Sequence, residues 1–230
     1  MIRALERRPP DVSYKQLVDV YAADTAARDP EMLQATLLPH LVKRAHVQGS
    51  FADFKRRFDE STGGLADRLR SVPGVAFAGG SVTAAICDCG YSDVDVFIVS
   101  ELSRAREILE LIYAALEEMV QERYGSKKGR LLVTRSKHAV TTVEGTKFAP
   151  NCAPRPPTGG GSAARFFQVV ADRAGPPPIQ VILTCYASVQ AMLASFDIDA
   201  ACFAFLPNEQ KVWGTQRGLR ALQCRGALSK

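Results

Sequence analysis

Residues 77–98 read FAGGSVTAAICDCGYSDVDVFI, and the pairing of the two halves of this stretch constrains the chain more than any other feature. Gly79 and Gly80 lack the Cβ that keeps other residues from close backbone approach, so their amides can come up against a bulky anion. Ser81 adds a hydroxyl donor. An apolar helix starting near Val82 would turn its unpaired amides and the positive end of its dipole toward the same point. Beyond a short spacer, Asp93-Val94-Asp95 opens an apolar strand. Strand alternation sets both carboxylates on one face and Val94 and Val96 on the other. Two like charges on a half-buried face are relieved by a divalent cation, and Mg²⁺ takes one or two carboxylates together with substrate phosphates. Either half alone describes a plain turn or a solvated strand face. Together they describe a nucleotide site.

Apolar-Gly-Gly-Ser followed at this spacing by Asp-apolar-Asp-apolar resembles the signature of the DNA polymerase β-like nucleotidyltransferase superfamily. Poly(A) polymerases, terminal uridylyltransferases, cyclic-dinucleotide synthases and minimal toxin-antitoxin nucleotidyltransferases share it. The later runs Ile179-Gln180-Val181-Ile182-Leu183-Thr184 and Phe196-Asp197-Ile198-Asp199 are similar to a subgroup of such domains in viral and fungal proteins. The resemblance implies a nucleoside triphosphate substrate and Mg²⁺ or Mn²⁺. It also implies transfer of a nucleoside monophosphate to an acceptor hydroxyl, on an RNA 3′ end, a nucleotide or a protein, with release of pyrophosphate. A domain of this kind that has lost turnover and serves as a nucleotide- or RNA-binding or assembly module is the alternative.

Two-metal phosphoryl transfer needs a third carboxylate on an adjacent strand. The run from Ile179 offers only Gln180, an amide that cannot replace a charged ligand. Asp197 and Asp199 lie in an apolar setting of Phe196, Ile198 and Ala200. A strand over residues 197–206 would set both on one face, and carboxylates in such a run are costly unless paired or metal-bound. At least one is therefore expected as the third ligand, and the resemblance leans to Asp197. The catalytic and metal candidates are then Asp93, Asp95 and Asp197 or Asp199. Gly79, Gly80 and Ser81 are expected at the phosphates. Arg135 and Lys137, in Thr134-Arg135-Ser136-Lys137, reach phosphate or ribose, or else form an ordinary polar turn.

The remaining sequence supplies the frame. The chain has 230 residues, 47% of them apolar and 23% charged, enough for a sizeable core. Its formal charge of +5 permits phosphate-rich partners without demanding them. Six scattered cysteines suit a reducing compartment and make no zinc pattern. No apolar run approaches the roughly 18 residues of a membrane span and no signal-peptide core opens the chain, which points to a cytoplasmic protein.

Apolar spacing predicts helices over residues 14–27, 31–47 and 51–69, the last interrupted at Gly63-Gly64, and a long amphipathic helix over 103–122. Strands are expected at 131–134, 138–143, 166–170 and 179–185, with a short helix at 188–193 and a C-terminal helix at 218–223 anchored by Trp213. Residues 148–164, rich in Pro and Gly, read as an insertion. The expected fold is α/β (α+β): a nucleotidyltransferase-like mixed sheet with flanking helices over residues 71–230, and a helical N-terminal extension over 1–70.

Overall fold

The structure is a computed structural model that describes residues 3–4, 17–22, 47, 49–125, 130–135, 139–145 and 177–225. Its elements in chain order are β1 (Arg3–Ala4), β2 (Val18–Asp19), α1 (Phe51–Thr62), α2 (Leu65–Arg68), β3 (Val75–Ala78), α3 (Gly80–Cys87), β4 (Val94–Val99) and α4 (Leu102–Tyr124). There follow β5 (Arg130–Arg135), β6 (Ala139–Gly145), β7 (Ile179–Tyr186), α5 (Val189–Ala194), a 3₁₀ turn (Asp199–Ala201), β8 (Phe203–Leu206), β9 (Lys211–Gly214) and α6 (Gln216–Arg225).

Local chemistry sets the helix ends. Ser50 caps α1 by accepting the Asp53 amide at 3.3 Å, while the Asp53 carboxylate accepts the Ser50 amide at 2.8 Å. This reciprocal box satisfies two otherwise orphaned donors. Gly63, left-handed at φ 66°, ends the helix. In α4 the apolar stripe Ala105, Ile108, Ile112, Ala115, Leu116, Met119 and Val120 is buried, at the spacing the sequence predicts.

The strands form one mixed sheet in the order β2-β9-β8-β3-β4-β7-β6-β5, with β1 also paired to β7. β4 and β7 run parallel, whereas β3 is antiparallel to both β4 and β8. The chain thus has an α/β fold. On one sheet face Phe77, Val94, Val96, Ile98, Val181 and Phe205 meet the apolar sides of α1 to α4 and Leu222 of α6. Rings lock this face: Phe58 lies 5.2 Å from Phe77 and 5.4 Å from Phe205, and Phe54 lies 5.3 Å from Phe205. On the other face Ala76, Ala78, Phe97, Tyr186 and Ala204 pack with Met192 and Leu193 of α5, and with Phe196 and Trp213.

Several expectations change. Residues 18 and 19, expected within a first helix, form a strand paired to β9; most of the predicted helices over 14–27 and 31–47 lies outside the described residues, as do the insertion at 148–164 and the strand at 166–170. The helices just before residue 70 share the sheet's core through Phe54, Phe58 and Leu65. Trp213 does not anchor α6. It packs on the opposite sheet face from Leu219 and Leu222, and its indole N–H donates to Glu209 at 3.0 Å.

Candidate functional site: a glycine turn beside two carboxylates

The chain leaves β3 through Gly79, at φ 89° and ψ −147°, and enters α3 at Gly80. Only glycine adopts that backbone readily. The Gly79 amide donates to the Phe203 carbonyl at 3.2 Å, which ties the turn to β8. A Cβ on Gly79 would stand 3.4 Å from Asp95 Oδ2 and 3.9 Å from the Phe196 ring, whereas a Cβ on Gly80 would meet nothing within 4 Å. One side of the turn is closed by the carboxylate and the other is open.

The first bond inside α3 runs from the Thr83 amide to the Gly79 carbonyl, at 3.1 Å. Gly79 offers no side chain as a cap, so the amides of Gly80, Ser81 and Val82 have no acceptor within the helix. Ser81 is buried, and its hydroxyl has no hydrogen-bond partner among the described residues. A buried hydroxyl left this way costs free energy unless something fills the gap. Thr83, by contrast, is fully engaged: its hydroxyl lies 2.7 Å from the Ala200 carbonyl and holds the 3₁₀ turn against α3.

Asp95 sits on β4 as the register partner of Ala78 on β3 and of Gln180 on β7. Burial, and next the charge of Asp93, push its carboxyl up to about 6 from an ordinary 3.8. Asp93 precedes the strand and is held at both oxygens: Ser92 Oγ donates to Oδ1 at 2.8 Å and Gln180 Nε2 donates to Oδ2 at 2.8 Å. The fold thus sets Asp95 against the glycine turn, with Asp93 near enough for its charge to raise the Asp95 carboxyl.

The expected third ligand is not assembled in this way. The predicted strand over 197–206 begins only at Phe203. Ahead of it the backbone closes on itself, with the Ala201 amide donating to Ile198 at 3.0 Å and the Cys202 amide to Asp199 at 3.1 Å. Arg217 claims what is left: its guanidinium donates to Asp199 Oδ1 at 2.8 Å, to the Phe196 carbonyl at 2.6 Å and to the Leu193 carbonyl at 3.0 Å. Carbonyls used in turns and by an arginine cannot join a ladder. Asp197 and Asp199 therefore do not alternate on a strand face; both are exposed, and Asp199 is ion-paired. Among the described residues no group of three or more His, Cys, Asp and Glu side chains is placed to hold a metal. Arg135 ends β5 opposite Val140, and Lys137 lies outside the described residues.

The donor set nevertheless fits a divalent cation that arrives with phosphates. Two carboxylates repel each other, no cationic side chain is paired with either among the described residues, and the adjoining turn carries amides with no acceptor within the helix and a hydroxyl with no partner among the described residues. Asp93 and Asp95 would hold the cation; Gly80, Ser81 and the start of α3 would take the phosphates.

A family model described as Gad2, Gabija anti-defense 2 family protein, matches residues 50–225. The chain belongs to the Gabija anti-defense 2 family. No curated protein and no solved structure matches it. The Gabija anti-defense 2 match starts at the Ser50 cap and ends with α6, so it takes in the glycine turn, both carboxylates, Gln180 and Arg217, and leaves β1 and β2 outside. Within this family member two residues near the site escape a reading of the sequence. Ser92 and Arg217 act through partners fixed by the fold, and only the position of Ser92 beside Asp93 hinted at its contact. No described helix is long and apolar enough to cross a membrane.

Proposed function

We propose that this Gabija anti-defense 2 protein is a metal-dependent nucleotidyltransferase that moves a nucleoside monophosphate from a nucleoside triphosphate to an acceptor hydroxyl. The observation that carries this is the turn at Gly79 and Gly80, whose α3 amides have no acceptor within the helix, lying directly against Asp95. The motif resemblance supports the same reading.

The amides of Gly80 and Ser81 and the Ser81 hydroxyl bind the β- and γ-phosphates, where the helix dipole favours negative charge. Asp93 and Asp95 would hold Mg²⁺, which when bound would supply charge neutralisation on the phosphates and make the acceptor hydroxyl easier to deprotonate. Ser92 and Gln180 fix the Asp93 carboxylate so that it does not reorient on binding. The acceptor oxygen bonds to the α-phosphorus as the bond to the bridging oxygen breaks; pyrophosphate leaves and the acceptor proton passes to water.

The acceptor is an RNA 3′ hydroxyl, a nucleotide or a protein hydroxyl. The family description favours an acceptor within the Gabija defence, since one covalent nucleotide on a defence component is enough to alter it. The reaction belongs to the cytoplasm, where nucleotide and Mg²⁺ are supplied.

Incubation with α-labelled nucleoside triphosphates, Mg²⁺ or Mn²⁺ and lysate from cells carrying the defence is expected to label one acceptor class and release pyrophosphate. Asp93→Ala with Asp95→Ala abolishes both. Equal labelling by the double variant overturns the mechanism.

A second reading, a nucleotide-binding module without turnover, is favoured by Gln180 standing beside Asp95 and by the engagement of Asp199 with Arg217. Mg²⁺-dependent nucleotide binding with no pyrophosphate release would select it.

A further inference from the structure

We propose that the site is built for a single divalent cation, carried in with the nucleotide, and that Gln180 is the positioning residue that sets this number. The inference rests on the nucleotide-site reading of Asp93 and Asp95 and on the row of residues that crosses the sheet at that point.

Register places Ala78, Asp95, Gln180 and Thr141 side by side on β3, β4, β7 and β6. Cross-strand partners point to the same face, so this row runs along the floor of the site. It carries one carboxylate, one amide and one hydroxyl. The place flanking Asp95 on β7, where a further carboxylate would add the charge a second cation needs, is held by a neutral side chain.

The amide has a definite task. A carboxylate cannot donate, so the Gln180 group 2.8 Å from Asp93 Oδ2 is its NH₂, and Gln180 Oε1 faces away from that oxygen. With Ser92 on Oδ1, both Asp93 oxygens carry one donor and keep lone pairs for a cation. A carboxylate at 180 would instead face Asp93 as a like charge. Two carboxylates bring a charge that one divalent cation balances. A second cation would need a third, which the described residues do not assemble.

The test is Mn²⁺ counted by electron paramagnetic resonance on the full chain, with a non-hydrolysable nucleoside triphosphate analogue. Wild type is expected to bind one Mn²⁺ per chain. Gln180→Glu adds the missing charge and is expected to bind a second, and to lose thermal stability at neutral pH without Mn²⁺. Gln180→Ala adds no charge and removes the donor to Asp93; it keeps the count at one and weakens Mn²⁺ binding about tenfold. If Gln180→Glu does not fold, the wild-type count and the Gln180→Ala affinity still decide. Two Mn²⁺ on wild type, unchanged affinity in Gln180→Ala, or a folded Gln180→Glu with a count of one overturns the role of Gln180 and leaves the nucleotide site standing. No Mn²⁺ on wild type with the analogue present removes the nucleotide site itself, and this inference with it.

Discussion

Gly79 brings the backbone so near Asp95 that a methyl group on it would stand 3.4 Å from the carboxylate oxygen, at a φ of 89° that L-residues rarely adopt. Gly80, the next residue, has neither constraint. The two substitutions to alanine should therefore separate. Gly79→Ala is expected to cost on the order of 1–3 kcal/mol in backbone strain, read as a lower urea midpoint. Gly80→Ala, inside a helix and facing open space, is expected to hold or slightly raise stability while weakening nucleotide analogue binding. Equal stability losses in the two variants would show that the turn has another geometry.

Arg217 gathers three acceptors from the end of α5, the link that follows it and the 3₁₀ turn. Arg217→Ala strands two part-buried carbonyls and leaves the exposed Asp199 carboxylate to water, and should cost about 2–4 kcal/mol by denaturant unfolding. Arg217→Lys keeps the charge but not the fork, and should fall between. Asp199→Asn should cost less than about 1 kcal/mol, as for other exposed ion pairs, and leave Mn²⁺ binding unchanged. A large loss of Mn²⁺ affinity in Asp199→Asn would return this residue to the site.

What could be read from the sequence divides along the range of the interactions involved. The α4 stripe, the apolar run of β7 and the turn at Gly79 are local patterns whose period or backbone requirement decides the structure. Asp95 is legible for the same reason, since strand alternation sets its face, whereas Asp93 lies just ahead of β4 and is placed by Ser92 and Gln180. Asp197 and Asp199 were misread because their alternation looked like a strand. The competing partner, Arg217, lies eighteen residues further on and supplies hydrogen bonds that no local pattern announces. The second residue pair, Val18 and Asp19, failed similarly: a helical spacing gave way to an edge pairing with Trp213 and Gly214.

Asp95 ties stability to pH. Its folded value of about 6 lies above the unfolded 3.8, so its contribution is full below pH 3.8 and is lost as pH rises through 6. Above that, the ligand-free fold carries a confined ionised carboxylate. Asp95→Asn keeps the site neutral throughout and is expected to gain on the order of 2 kcal/mol over wild type between pH 4 and 7.5, after allowance for partial solvent access. In melting curves this is roughly 4–8 °C at pH 7.5 and little at pH 4. Mg²⁺ with nucleotide analogue should stabilise wild type and not the variant. Parallel pH profiles for the two proteins would remove the confined charge.

Ser81 offers the sharpest separation of stability from function. Its hydroxyl is buried and without a partner among the described residues, so in the ligand-free protein it is a cost. Ser81→Ala deletes the unsatisfied group and nothing else of size, and is expected to leave the free protein equally stable or up to about 1–2 kcal/mol more stable. A core serine bonded within the protein would do the opposite. If the hydroxyl exists to meet a phosphate oxygen, the same variant binds nucleotide analogue roughly tenfold more weakly, the loss of one hydrogen bond to a charged group. Paired melting and titration on one preparation decide this. Gained stability with lost affinity marks a residue retained for its ligand, and lost stability with full affinity makes Ser81 part of the core.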